Sequence, residues 1–189
     1  RLLVHVEQGF GDTLQFIRYV PRLRKLTGEG KIFLVCEPEL FRLLETLEGV
    51  DEIYQIGSDT SVTYDVQIPL LSLPHRFATT LETIPNSVPY IKVPPGNKAR
   101  IRRRKNARLS VAFVWAGRPN HSDDRFRSCP LNWFAALFDI PGVDFYSIQW
   151  GPRAIELEPY QSRPNVTAMT DKLTSFAETA AIIEQVDLV

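Results

Sequence analysis

The segment Glu7-Gln8-Gly9-Phe10-Gly11-Asp12-Thr13 follows an apolar run ending at Val6 and holds the residue types a hydroxyl-activating site needs. Asp12 is a carboxylate able to accept or orient a hydroxyl proton. It is equally suited to be a helix N-cap, with Gln15 completing a capping box. The two roles compete, because helix amides that hold a carboxylate stabilise its anion and weaken it as a base. Glu7 can hold a ligand hydroxyl, and Gly9 and Gly11 let backbone come close to a ligand. Gln15 and Arg18 follow on the first helical turns, where Arg18 faces either a phosphate or solvent. Position 14 is leucine, so the G-x-G-x-x-G dinucleotide fingerprint is incomplete, and there is no Walker lysine.

A second polar interruption, Trp115-Ala-Gly117 through Arg127, comes about 100 residues later after another apolar run. His121 suits proton transfer or hydrogen bonding near neutral pH, or is simply exposed. Arg125 and Arg127 match the oxygens of a diphosphate, or pair with their neighbours Asp123 and Asp124. Gln149, before Trp150 and Gly151, is placed to meet a base or sugar edge, while Trp150 stacks on a ring or packs locally. Asp171 can receive a ribose hydroxyl and Lys172 a phosphate, although a lone lysine is commonly just exposed. Four polar loops at strand ends suit a phosphorylated, hydroxyl-rich ligand.

The elements that would carry these loops alternate. Strand patterns cover Leu2 to Val6, Ile32 to Val35, Glu52 to Ile56 and Val66 to Leu70. Helical spacing links Leu14, Ile17, Val20 and Leu23, then recurs after Pro38 and across Arg76 to Thr83. A second series has strands at Leu109 to Trp115, Phe145 to Gln149 and Asn165 to Met169. Helices are expected after Ser128, over 153–160 and after the capping box Ser175-Phe-Ala-Glu178. Leu188-Val189 starts another strand. This alternation predicts an α/β fold with parallel sheets. The expected division is a Rossmann-like domain over 1–95, a basic linker or helix over 96–108 and an incomplete second Rossmann-like domain over 109–189. A chain that opens and closes in strand patterns is expected to be a piece of something longer.

Composition narrows the function classes. Twenty-two basic and 22 acidic residues cancel, so net charge supplies no footprint for nucleic acid. Residues 98–108 do concentrate seven basic side chains, read as a solvated helix or linker because no aromatics are interleaved. Cys36 and Cys129 have no metal-ligand spacing and are too few for a disulfide scaffold. That usage fits a reducing compartment, and a cytoplasmic location is expected. No run reaches the roughly 18 apolar residues of a membrane span.

Taken together, Glu7-Gln-Gly-Phe-Gly-Asp-Thr-Leu-Gln-Phe-Ile-Arg-Tyr-Val-Pro21, Pro69-Leu-Leu-Ser-Leu-Pro74, Trp115-Ala-Gly117 with His121, Asp124 and Arg127-Ser128, Gln149-x-Gly151-Pro152, and Asp171-x-Leu-Thr-Ser-Phe-Ala-Glu-Thr-Ala-Ala181 carry a family resemblance. They resemble the glycosyltransferase-like region that follows tetratricopeptide repeats in many bacterial proteins. That region is similar to the GT-B heptosyltransferases and, more distantly, to the O-linked N-acetylglucosamine transferases. The resemblance implies two Rossmann-like domains, with the acceptor mainly on the first and a nucleotide-diphosphate sugar mainly on the second. It puts Asp12 at the acceptor-side base position and brings the loops at 115–128, 149–152 and 170–172 to the donor. It implies no cofactor and no catalytic metal, in keeping with the lack of a D-x-D motif, and protein partners through repeats outside this chain. Trp150 stands where relatives commonly carry lysine. Relatives also continue past the last strand with a donor-site segment, so this chain alone is expected to be inactive even if its parent is an enzyme. The alternative is a non-catalytic carbohydrate- or nucleotide-binding module on a repeat scaffold.

Overall fold

The apolar runs become the strands of two parallel sheets. The computed structural model describes residues 1–58, 62–119 and 121–189, and the chain divides into two units, Arg1–Pro94 and Pro95–Val189. Asn120, within the second polar loop, lies outside the described residues.

In the first unit, β1 (Leu2–His5), β2 (Ile32–Cys36), β3 (Glu52–Gln55) and β4 (Val66–Pro69) run parallel in the order β3-β2-β1-β4. The β2 sequence Ile-Phe-Leu-Val-Cys has no charged or amide side chain, as a central strand covered on both faces requires. After β1 come α1 (Phe10–Phe16), a 3-10 turn at Ile17–Tyr19 and α2 (Val20–Thr27). Pro21 has no N–H to donate to Ile17, which accounts for the break between the two α-helices. Ile17, Val20 and Leu23 keep their helical spacing across the break and are buried. Val4, Leu34, Leu40, Leu44, Leu70 and Leu73 are fully buried too, each contributing about 1.5–3 kcal/mol from burial. Pro38 opens α3 (Pro38–Leu44) as expected. The helix expected over Arg76 to Thr83 lies earlier. A 3-10 turn at Leu70–Ser72 leads into α4 (Leu73–Arg76), because Pro74 takes the first-turn position where a missing N–H costs nothing.

In the second unit, β5 (Leu109–Phe113), β6 (Val143–Ser147) and β7 (Val166–Ala168) form a parallel sheet, and Leu188 makes a parallel bridge to Val111. Val111 also pairs with Phe145, so Leu188 lies on the opposite edge of β5 from β6. Each unit therefore places its second and third strands on one side of the first; on the other side lies β4 in the first unit and the single bridge at Leu188 in the second.

Both faces of the second sheet are covered. Phe113, Phe138, Val143, Phe145 and Leu157 pack on one side, with Phe113 5.5 Å from Phe138 and 5.7 Å from Trp115 between ring centres. Ala112, Tyr146, Ile148, Met169 and Ile182 pack on the other. α5 is the four-residue turn Asp124–Arg127. The stretches expected as α-helices after Ser128 and over 153–160 are 3-10 instead, at Leu131–Trp133, Ala135–Asp139 and Pro152–Tyr160. Pro159 inside the last of these removes a donor that an α ladder would need. α6 (Phe176–Ile183) starts at Ser175, whose hydroxyl accepts the Glu178 N–H at 3.4 Å.

The basic run at 98–108 forms no helix. The Glu178 carboxylate accepts the N–H groups of Lys98 and Ala99 at 3.2 and 2.8 Å, and Gln185 accepts that of Ile101 at 3.3 Å. Tyr146 donates to the Arg102 carbonyl at 2.8 Å, and buried Asp144 holds the Arg104 guanidinium and N–H. The segment is thus bound along the second unit rather than left as a linker.

Candidate functional site

Because every strand is parallel, the polar loops of each unit collect at one edge, the carboxyl end of its sheet. The reversal of strand order makes that edge the usual place for a ligand in an open α/β fold. In the first unit this edge lies beyond β1 and β4. There Glu7, exposed, accepts the Leu71 N–H at 3.3 Å and ties the two strand ends together.

Asp12 is half-buried at the third position of α1, and Gly9 is the N-cap. One Asp12 oxygen accepts the Gly9 N–H at 3.2 Å, and the other accepts no hydrogen bond among the described residues. The expected N-cap role for Asp12 with Gln15 is corrected accordingly. The helix begins three residues earlier, because Gly9 is already extended and Phe10 already helical. Gly11 is likewise in the first helical turn instead of a loop. Neither glycine has a positive φ, and a Cβ at Gly11 would meet nothing within 4 Å. Inside the chain neither needs to be glycine.

Gln15 and Arg18 line a cleft of about 470 Å³ with Phe16, Tyr19, Pro74, Thr79, Thr80, Leu81 and Ile84. Arg18 is half-buried and donates to the Pro85 carbonyl at 3.4 Å and the Tyr90 hydroxyl at 3.0 Å, with its guanidinium 4.7 Å from the Tyr90 ring centre. The turn after α4 builds the opposite wall. Thr79 N–H bonds the Pro74 carbonyl and Ala78 N–H the His75 carbonyl, both at 2.9 Å, with Ala78 at φ +46°. That is a helix-ending motif that normally takes glycine. No motif in the sequence pointed to Thr79; the paired threonines after an alanine were the only local signal.

In the second unit the edge carries 114–117, 148–151 and 169–172. Gln149 is buried, and all four of its side-chain hydrogen-bonding positions are occupied. Its oxygen accepts the Trp115 and Ala116 N–H groups at 3.1 and 3.0 Å, while its nitrogen donates to the Ala116 and Trp150 carbonyls at 3.0 and 2.9 Å. The expectation that Gln149 meets a base or sugar is corrected: its side chain clamps two strand-end loops and has no donor or acceptor left. Trp115 is also internal, with its indole N–H donated to Glu156 at 3.1 Å. Glu156 has no sequence signal beyond its spacing from Arg153. It gathers Trp115, the Leu131 N–H and Arg153, and the Arg153 hydrogen bond leads in holding its carboxyl below the usual range.

Gly117 donates its N–H to Ser128 at 2.8 Å, and Ser128 donates to Asp124 at 2.7 Å. A Cβ at Gly117 would come within 2.8 Å of the Arg127 guanidinium and 3.0 Å of Asp124, so a larger residue here would push the exposed Arg127 side chain aside. Arg127 lies 3.8 Å from Asp124, the pairing weighed from the sequence, whereas Arg125 sits over the Phe126 ring at 4.4 Å. His121 is exposed and its Nδ1 accepts the Asp123 N–H at 3.1 Å, which puts the proton of the neutral ring on Nε2. Gly151 adopts φ +86° and starts the 3-10 stretch over Pro152–Tyr160. Asp171 is exposed, and Lys172 donates to the Arg100 carbonyl at 3.3 Å.

Among the described residues, no cluster of His, Cys, Asp and Glu is placed to hold a metal ion, and no helix is long and apolar enough to cross a membrane. The chain matches no family model, no curated protein and no solved structure.

Proposed function

We propose that this chain is a GT-B-like glycosyltransferase region, in which the first unit serves a hydroxyl acceptor and the second a nucleotide-diphosphate sugar. The observation that carries the reading is the repeated plan. Both units have a parallel sheet with a reversal of strand order beside its first strand, and both collect their chemistry-bearing loops at the carboxyl edge.

In the transfer, the acceptor oxygen forms a bond to the anomeric carbon and gives its proton to the Asp12 oxygen left without a hydrogen bond. The anomeric carbon–oxygen bond to phosphate breaks, and its electron pair leaves on the nucleoside diphosphate. Arg125 and Arg127 offset the growing negative charge, and His121 donates from Nε2. Glu7, Gly9, Gly11, Gln15 and Arg18 form the acceptor side. Gly117, Gly151, Asp171 and Lys172 form the donor side, with Trp115 and Gln149 holding its loops in place. No metal or cofactor enters the scheme.

One observation favours a second reading, a non-catalytic carbohydrate- or nucleotide-binding module. Trp115 and Gln149 are consumed by internal hydrogen bonds, which leaves few side chains to orient a donor. The full-length protein and its Asp12→Asn variant, offered UDP-, GDP- and ADP-sugars, separate the two. Turnover by the wild type alone supports transfer. Binding by both proteins with turnover by neither leaves only the binding module, and no binding by either removes both readings.

A further inference from the structure

The cleft beside Arg18 contains polar groups that the protein leaves unanswered. Arg18 Nε and Thr79 Oγ1 are buried atoms without a hydrogen-bond partner among the described residues, and both side chains line this cleft. Such atoms are rare in folded proteins and call for an explanation. The Arg18 charge is unanswered as well. Among the described residues its partners are a carbonyl, a phenol and an aromatic ring, all neutral, and no carboxylate pairs with it. A half-buried guanidinium without a counter-ion is an electrostatic deficit that an anion would fill.

Apart from Gln15 and Thr80, the remaining walls are of another kind. Phe16, Tyr19, Pro74, Leu81 and Ile84 are apolar, and Leu81 is 84% exposed at the rim. At about 470 Å³ the space falls within the roughly 300–1,000 Å³ typical of small-molecule sites. The pattern is an apolar enclosure with a few polar groups, one of them a cation.

We propose that this cleft binds a small amphipathic anion, with a carboxylate or phosphate at Arg18 and Thr79 and an apolar body against Phe16, Tyr19 and Leu81. Arg18 Nε–H and the Thr79 hydroxyl donate to the anionic oxygens after a small rotation of the two side chains. The proposal deepens the acceptor side of the function proposed above and rests on it only for the ligand's role.

Binding is tested on the intact protein with no nucleotide sugar present, so failure here and failure of transfer are read separately. The probes are octyl phosphate and octanoate, with inorganic phosphate and octyl glucoside as controls lacking the body or the charge. The two anionic amphiphiles should bind saturably and shift the Arg18 Nε–H resonance in a proton–nitrogen correlation spectrum. Both controls should bind at least about tenfold more weakly, the loss expected for one charge-assisted hydrogen bond or several buried methylenes. Thr79→Val and Arg18→Gln should each weaken octyl phosphate by about tenfold or more. Thr79→Val also removes a hydroxyl that has no partner in the free protein, so its melting temperature should equal or exceed that of the wild type. This keeps the test valid even if Arg18→Gln folds poorly. Equal affinity for octyl glucoside and octyl phosphate, wild-type affinity in Thr79→Val, or no saturable binding of either anion would overturn the proposal.

Discussion

Replacing Gln149 with leucine keeps the side-chain volume and removes all four hydrogen bonds of the clamp. The Trp115 N–H is then buried with no partner, and the Ala116 N–H and carbonyl are half-buried without theirs. Trp150 is 73% exposed, so its carbonyl regains water and adds little. An abandoned buried amide costs about 1–3 kcal/mol. One such group and two partly shielded ones sum to about 3 kcal/mol. For a unit of this size that corresponds to a fall in melting temperature of about 12 °C or more. Trp115, Trp133 and Trp150 all lie in the second unit, so tryptophan fluorescence during urea or thermal unfolding reports that unit selectively. The same protein should lose donor binding only as far as it unfolds. A Gln149→Leu protein within about 0.5 kcal/mol of wild type but unable to bind nucleotide sugar would refute the clamp and restore Gln149 as a direct ligand contact.

Two other outcomes follow from the same structure. Burial pushes the Cys36 thiol up to about 12, so a thiolate-selective reagent at pH 8 should label only half-buried Cys129 in the folded protein and both cysteines in urea. Hydrogen bonds from Ser110, and then Arg103, hold Asp187 below the ordinary carboxylate range. Its contribution to stability is complete above about pH 4 and is lost as the pH falls through the lower folded value. The melting-temperature gap between wild type and Asp187→Asn should therefore narrow from pH 6 to pH 3, and a gap that stays constant would contradict this.

The α/β class was legible because buried parallel strands are short unbroken apolar runs and the helices between them keep a period near 3.6. Pro38 and Ser175 marked helix starts correctly, since both act through the backbone of their own first turn. Local rules failed where two signals competed. Asp12-x-x-Gln15 reads as a capping box, yet Gly9 takes the cap and leaves Asp12 inside the helix. Pro74 outweighed the helical pattern after Arg76 and drew α4 forward. The basic run at 98–108 looked like a linker because its partners, Asp144, Tyr146, Glu178 and Gln185, are about 40 to 90 residues away.

Sequence by itself determined the kind of element at each place and, through the parallel alternation, that the polar loops of each unit share one edge. Those properties depend on neighbours a few residues apart. Tertiary structure alone decided which polar side chains remain available. Gln149 and Trp115 have the chemistry to hold a ligand, but long-range hydrogen bonds use them up. Arg18 and Thr79, 61 positions apart, line one cleft with atoms left over. A side chain's hydrogen-bonding capacity is a property of its type; whether any of it is left for a ligand depends on what the fold packs against it.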